Sequence, residues 1–170
     1  MKLNLKTLLN KGIFEQYTIV TGEDYMDTEI KSMSILETPD FKDYIIENSL
    51  ILTTFYPIKS DIKTTLDLLS SLKKFNTAGL IVKIHRYIDD IPQEVIDHAR
   101  EIDYPIITLN YDANLSILFN NIMSEIQSSD FESYSLEYSY SDFLSKVYEN
   151  PTTKTLMDTV ESIEDFDLLI

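Results

Sequence analysis

Three short apolar runs decide the fold of this chain: Leu50-Ile51-Leu52-Thr53-Thr54, Gly79-Leu80-Ile81-Val82-Lys83-Ile84 and Pro105-Ile106-Ile107-Thr108-Leu109. Two helix-type segments separate these runs. Asp61 to Lys74 carries isoleucine and leucine at helical spacing, and Pro92 to Arg100 begins with a proline, which a first helical turn tolerates. Apolar strands that alternate with helices of this length form a parallel sheet covered by helices on both faces. The alternation therefore predicts an α/β fold.

Further elements extend this pattern in both directions along the chain. Leu3 to Gln16 is predicted to be a helix, and Tyr17 to Thr21 and Ile30 to Leu36 are predicted to be strands. An amphipathic helix is predicted to begin near Asn114, which can cap its N-terminus. We therefore expect a mostly parallel sheet of about five strands with flanking helices, followed by a C-terminal helical extension.

The composition changes at Ser128-Ser129-Asp130, beyond which the chain is rich in serine, tyrosine and acidic residues. Residues 166–170 have the pattern of an apolar strand that stops as soon as it begins. We therefore predict one domain over residues 1–127, and over residues 128–170 a helical linker and the truncated start of a following domain.

The formal net charge of −15 argues against contact with nucleic acid. DNA binding depends on Lys and Arg side chains that neutralise phosphates, and a chain this acidic repels DNA over long range. Residues 1–127 carry 12 Lys and Arg against 19 Asp and Glu, and residues 128–170 carry 2 against 10. The acidity is therefore concentrated in the C-terminal part.

Cysteine is absent, which excludes disulfides and thiolate chemistry. No apolar run reaches the length of a membrane span, and the first residues lack the continuous apolar region of a signal peptide. We therefore expect a cytoplasmic protein without membrane contact.

The order of several short motifs resembles the N-terminal domain of PucR-type transcriptional regulators. That domain typically reads as a helix followed by V-x-G, E-x-P-D, L-L-T-T-G, G-L, R-Y-x-x-x-I-P and P-I. The matching residues in this chain are Glu37-Thr38-Pro39-Asp40, Leu50 to Thr54, Ala78-Gly79-Leu80, Arg86 to Pro92 and Tyr104 to Ile107. The resemblance runs from about Leu3 to about Gln127. Two positions depart from the family pattern: Phe55 stands where the family has glycine, and Glu47 and Asn48 replace small residues.

This resemblance implies a regulatory domain that senses a small molecule or a partner and controls purine breakdown or another catabolic pathway. It also implies that the helices after Asn114 pass the signal to a DNA-binding domain elsewhere. No helix-turn-helix candidate is visible in the sequence.

The carboxyl ends of the predicted parallel strands are the place where ligands of such sheets bind. Five polar residues are predicted to meet at that edge and to contact a ligand: Glu37, Thr53, Thr54, Arg86 and Asn110. Arg86 offers a guanidinium to an anionic ligand. In the structural alternative Arg86 pairs with Asp89 or Asp90, and the threonines cap the following turn.

Catalysis and metal binding are not expected. No P-loop, dinucleotide fingerprint or nucleophile elbow is present, and no nucleophile, base and orienting partner can be named together. A bound cofactor is likewise not expected. A small enzyme remains a third hypothesis, and a strongly perturbed pKa at Glu37 or His85 in a deep pocket would favour it.

A homodimer is predicted from two apolar helix faces. The first is a stripe in the helix after Asn114, and the second is an aromatic face over Tyr140 to Tyr148. In a second functional hypothesis, the chain is an interaction module that dimerises through these faces and binds no small molecule. The members of the stripe are Leu115, Leu118, Ile122 and Ile126.

Overall fold

A computed structural model describes residues 2–36, 45–55 and 61–129 of the chain. Within these residues, Lys2–Gln127 form one compact unit. The predicted aromatic face over Tyr140 to Tyr148 lies outside the described residues. The predicted division at residue 127 stays a prediction.

The described elements alternate between strands and helices as the sequence predicts. In chain order they are α1 (Leu5–Asn10), β1 (Tyr17–Thr21), a 3-10 turn (Glu23–Tyr25), β2 (Ser32–Ile35), β3 (Ser49–Thr53), α2 (Ile62–Lys74), β4 (Gly79–Lys83), α3 (Gln93–Glu101) and β5 (Ile106–Leu109). A fourth helix, α4, covers residues 115–129 of the described chain.

Side-chain caps set the starts of two of these helices. The Asp61 carboxylate accepts a hydrogen bond from the Thr64 amide at 3.0 Å and begins α2. Asn4 and Thr7 form a reciprocal capping box at the start of α1. That helix is shorter than the predicted Leu3 to Gln16, because the backbone turns into the left-handed region at Gly12, with φ of +69°.

The five strands form one sheet in the order β1-β5-β4-β3-β2. Neighbouring strands from β2 to β5 pair in parallel, and β1 pairs with β5 in antiparallel fashion. The predicted α/β fold with a mostly parallel sheet of five strands is therefore confirmed. The parallel strands follow their chain order across the sheet, so no reversal of strand order creates a crevice between them.

Two apolar clusters cover the two faces of the sheet. On one face, α2 and α3 pack with Ile51, Leu80 and Val82. On the other face, α1 and α4 pack with Ile81 and Ile107. Alternate residues of each buried strand thus serve opposite layers.

The apolar stripe of α4 is part of this second layer. Leu118, Ile122 and Ile126 are buried against the chain's own sheet, and Leu115 packs beside them. This face of the sheet needs an apolar cover, and α4 supplies it within the same chain. The stripe is therefore not free for a second subunit.

Two non-glycine residues flank β3 in the left-handed region. Asn48 has φ of +59°, as the sequence allows for a turn in front of the strand. Phe55 has φ of +58°, which explains why the family pattern has glycine at this position. The Phe55 ring is 2% exposed and belongs to the cluster under α2 and α3. Its burial offsets the backbone strain.

Across the described ranges of the chain, no helix is long and apolar enough to span a membrane.

Candidate functional site

The carboxyl ends of the four parallel strands lie along one edge of the sheet. The register places Thr53 of β3 beside Val82 of β4, and Lys83 of β4 beside Leu109 of β5. The loops that leave this edge after β4 and β5 carry polar residues, among them Arg86 and Asp112. We call this the carboxyl edge.

An open cleft of about 370 Å³ lies at the carboxyl edge, between the end of β4 and the start of α4. A volume of this size lies in the lower part of the range for small-molecule sites. The lining residues are Lys83, Arg86, Asp112, Ala113, Asn114, Leu115 and Ser116.

Lys83 lies at the base of the cleft, and its residue surface is only 8% exposed. It is the last residue of β4, and strand alternation places it on the same face as Ile81, under α4. Its Nζ donates a hydrogen bond to the Ala113 carbonyl at 2.7 Å and lies 5.5 Å from the centroid of the Tyr111 ring. The aliphatic stem is therefore buried while the ammonium reaches the cleft.

Arg86 forms the exposed rim of the cleft. Its guanidinium carbon lies 5.3 Å from the centroid of the Tyr87 ring, a cation–π distance. Among the described residues it makes no ion pair with Asp89 or Asp90, and the Asp90 carboxylate instead accepts a hydrogen bond from the Ile91 amide at 2.8 Å. The guanidinium therefore keeps donors available for a ligand.

Asn114 closes the cleft on the side of α4. Its side-chain oxygen accepts hydrogen bonds from the amides of Ser116 and Ile117, at 3.1 and 3.2 Å. The prediction that Asn114 caps this helix is therefore confirmed. These two amides of the first turn are therefore already satisfied by the cap.

Of the five predicted site residues, one lines the cleft, one is exposed in a neighbouring turn, two are buried and one lies outside the described residues. Arg86 lines the cleft, and Asn110 is exposed in the turn after β5, where its carbonyl accepts a hydrogen bond from the Ala113 amide. Thr53 is buried and donates to the Leu36 carbonyl at 2.6 Å. Thr54 is also buried, and Glu37 lies outside the described residues.

The Thr53 hydroxyl has a structural role at the end of β3. It also accepts a hydrogen bond from the Phe55 amide at 3.0 Å, so it links the ends of β2 and β3 and supports the left-handed turn. This corresponds to the alternative in which the threonine organises the turn.

Sequence reasoning missed Lys83, which lines the cleft, and Tyr111, whose ring lies beside the Lys83 ammonium. A signal for Lys83 was present, because a lysine that ends an otherwise apolar buried strand must direct its ammonium to a partner or to an opening. Tyr111 has no such signal. Its proximity to Lys83 depends on how the loop after β5 folds back over the sheet edge.

The two histidines lie apart from the cleft lining. His85 is exposed, with φ of +63°, and its amide donates to the Ile88 carbonyl. His98 is half-buried, and its Nε2 lies 2.8 Å from the Ser70 hydroxyl. It therefore joins α3 to α2.

The opposite edge of the sheet carries a smaller acidic depression. Tyr25 lies there, and the negative charge of Asp103, together with a hydrogen bond to it, raises the pKa of the Tyr25 hydroxyl. No group of His, Asp and Glu side chains in the described ranges could hold a metal ion.

Among known protein families, residues 7–126 match the purine catabolism regulatory protein-like family. The chain is 26% identical over 171 residues to the purine catabolism regulatory protein of Bacillus subtilis (strain 168). That alignment covers 99% of this chain and 32% of the relative, so the chain spans about a third of the relative's length.

Among solved structures, the chain is similar to the CBS and DRTGG domains of the regulatory region of Clostridium perfringens pyrophosphatase, complexed with the activator diadenosine tetraphosphate. The TM-score is 0.45 at 15% identity, over 68% of this chain and 45% of that chain. A likeness of this extent carries no argument about the ligand of this chain.

Proposed function

Because the chain belongs to the purine catabolism regulatory protein-like family, we propose that it is the regulatory domain of a transcriptional regulator of purine or other catabolism. In this proposal it senses a small-molecule effector and does not itself contact DNA. The family and the Bacillus subtilis relative support a regulatory role rather than an enzymatic one. A regulator of transcription acts where the DNA is, which agrees with the predicted cytoplasmic location.

One observation carries the sensing role: the cleft at the carboxyl edge has one wall on the sheet and the other on the start of α4. Lys83 belongs to β4, whereas Ala113, Asn114 and Ser116 lead into and begin the helix. The Lys83 ammonium holds the Ala113 carbonyl directly. A ligand in the cleft therefore contacts a rigid element and the helix that leads to residue 128 at the same time.

Such a placement suits signal transmission. A ligand shifts a conformational equilibrium only by the difference in its affinity for the two states. A molecule that binds the Lys83 ammonium either weakens or strengthens its hydrogen bond to the Ala113 carbonyl. The binding free energy of that molecule therefore depends on the position of the first turn of α4. We propose that the position of α4 is the output of this domain.

The experiment combines a thermal-shift screen with amide hydrogen exchange on the 170-residue chain. Intermediates of purine breakdown are screened, because a ligand that binds only the folded state raises its melting temperature. The hits are then tested for changed exchange in residues 113–120. We expect a hit to change exchange there and to lose its thermal shift in Arg86→Gln.

The matched control is Arg100→Gln, which removes the same charge from the exposed surface of α3, where Arg100 lies 3.6 Å from Asp97. This variant should keep the thermal shift. A hit that stabilises both variants equally, or that leaves the exchange of α4 unchanged, would contradict sensing through this cleft.

A homodimer is the second part of the proposal. The buried stripe of α4 no longer supports it, but two other apolar side chains near the cleft are exposed: Tyr111 at 64% and Ile117 at 57%. An interaction module without a small-molecule ligand would use the same surface. Light scattering of the chain and of Ile117→Asp tests this. A monomeric mass at high concentration would contradict the dimer. Loss of the dimer in Ile117→Asp would assign the contact to this surface, and it would favour the module only if the thermal-shift screen finds no ligand.

A further inference from the structure

We infer that the cleft binds the carboxylate or phosphate group of a small organic anion, held between the Lys83 ammonium and the Arg86 guanidinium. This inference rests on the proposed function, which it deepens by naming the chemical class of the effector. It assigns Lys83 as a ligand-binding residue at the base of the site.

The charges of the cleft are the first argument. Charged side chains that are buried in folded proteins are normally paired with an opposite charge. Lys83 is buried, yet among the described residues neither Lys83 nor Arg86 forms an ion pair with a carboxylate. Asp112 is the acidic member of the lining and leaves an excess of one positive charge. This local excess of positive charge favours an anion at short range, although the net charge of the whole chain is −15.

The number of available donors is the second argument. An ammonium has three N–H donors, and the Ala113 carbonyl takes one of those on Lys83. The centroid of the Tyr111 ring lies 5.5 Å from the same nitrogen. Arg86 adds a planar guanidinium, which matches the two oxygens of a carboxylate or phosphate in a bidentate arrangement. One buried and one exposed cation therefore converge on the same opening.

The size and walls of the cleft are the third argument. A volume of about 370 Å³ suits a metabolite rather than a polymer. Ala113 and Leu115 line the cleft with apolar side chains, which suit the uncharged part of such a molecule. The expected effector thus carries at least one anionic group on a compact body.

The test is an NMR titration of the 15N-labelled 170-residue chain at low ionic strength with inorganic phosphate, succinate and neutral succinamide. Phosphate and succinate distinguish the two sources of the anionic group, and succinamide tests whether charge is needed. We expect saturable shifts of the amides of residues 83–86 and 112–116 with at least one anion, and none with succinamide.

Two variants and two matched controls assign the contact. Arg86→Gln changes an exposed side chain and should fold, and it should weaken anion binding by about tenfold or more. Lys83→Met keeps the apolar stem and should weaken binding at least as much. Arg100→Gln and Lys63→Met remove the same charges from exposed positions on α3 and α2 and should bind as the unaltered chain does.

Absence of saturable shifts in these residues with both anions would overturn the inference, as would equal binding of succinamide or unchanged binding by Arg86→Gln. The proposed function fails in a different way. If an anion binds through Lys83 and Arg86 while amide exchange in α4 stays unchanged, the assignment of the ligand class stands and sensing through α4 is wrong.

Discussion

Replacement of Gly22 by alanine should destabilise this domain far more than the same replacement at Gly12. Both glycines are in the left-handed region, with φ of +75° and +69°. A Cβ atom on Gly22 would lie 2.5 Å from the Cα of Pro105 and 2.9 Å from the carbonyl carbon of Tyr104. At Gly12 a Cβ atom would meet nothing within 4 Å.

The magnitude follows from two separate effects. An alanine in the left-handed region costs about 1–2 kcal/mol, partly offset because alanine restricts the unfolded chain more than glycine does. We therefore expect Gly12→Ala to lower the free energy of unfolding by about 1 kcal/mol. At Gly22 the neighbouring atoms are backbone and cannot rotate away, and overpacking adds about 1–3 kcal/mol. The expected loss for Gly22→Ala is therefore about 2–4 kcal/mol.

Urea unfolding followed by circular dichroism measures both variants against the unaltered chain. At about 3 °C per kcal/mol, Gly22→Ala should also lower the melting temperature by roughly 6–12 °C. The reasoning would be refuted if the two alanine variants lost the same stability. Such a result would mean that the close approach of β1 to Tyr104 and Pro105 does not restrict residue 22.

Three further outcomes are expected. Tyr104→Phe should lower the free energy of unfolding by about 1 kcal/mol in urea titrations, and unchanged stability would contradict this. The Thr77 hydroxyl donates its proton to the Leu72 carbonyl, so the buried Tyr104 hydroxyl donates to Thr77, and the substitution removes that hydrogen bond. Hydrogen bonds from the Thr64 side chain and amide lower the pKa of the Asp61 carboxyl, so the native state binds fewer protons there than the unfolded state. The melting temperature of Asp61→Ala should therefore fall below that of the unaltered chain at neutral pH, with a difference that shrinks as the pH falls through the lowered pKa; a pH-independent difference would argue against the charged cap. Gel shifts with duplex DNA at physiological salt should show no complex, because the net charge is −15, and a salt-sensitive complex would disprove this.

The fold class and the five strands of the described residues could be predicted from the sequence. Continuous apolar runs such as those of β3, β4 and β5 are typical of strands buried on both faces, and the segments between them have a helical period. A local signal also predicted the cap at Asn114, because an asparagine side chain can accept hydrogen bonds from the amides of the first helical turn.

Only the tertiary structure shows which part of the molecule covers each apolar face. The stripe of α4 predicts a helix with a buried face, but the pattern cannot distinguish burial on the chain's own sheet from burial on a second subunit. Likewise, the bulky residue at position 55 could have filled a ligand cleft, and only the packing shows Phe55 in the core beneath α2 and α3.

Long-range contacts also determine which residues line the cleft. The sequence shows that polar residues stand at the ends of the strands, but it does not show which of them reach the cleft. The Thr53 hydroxyl donates a hydrogen bond to the Leu36 carbonyl and is buried. Lys83 donates a hydrogen bond to the carbonyl of Ala113, which is 30 residues away, and lines the cleft. Hydrogen bonds between distant segments depend on the spacing of strands and on the path of the loops. These properties arise from packing of the whole domain, so no local pattern of residues encodes them.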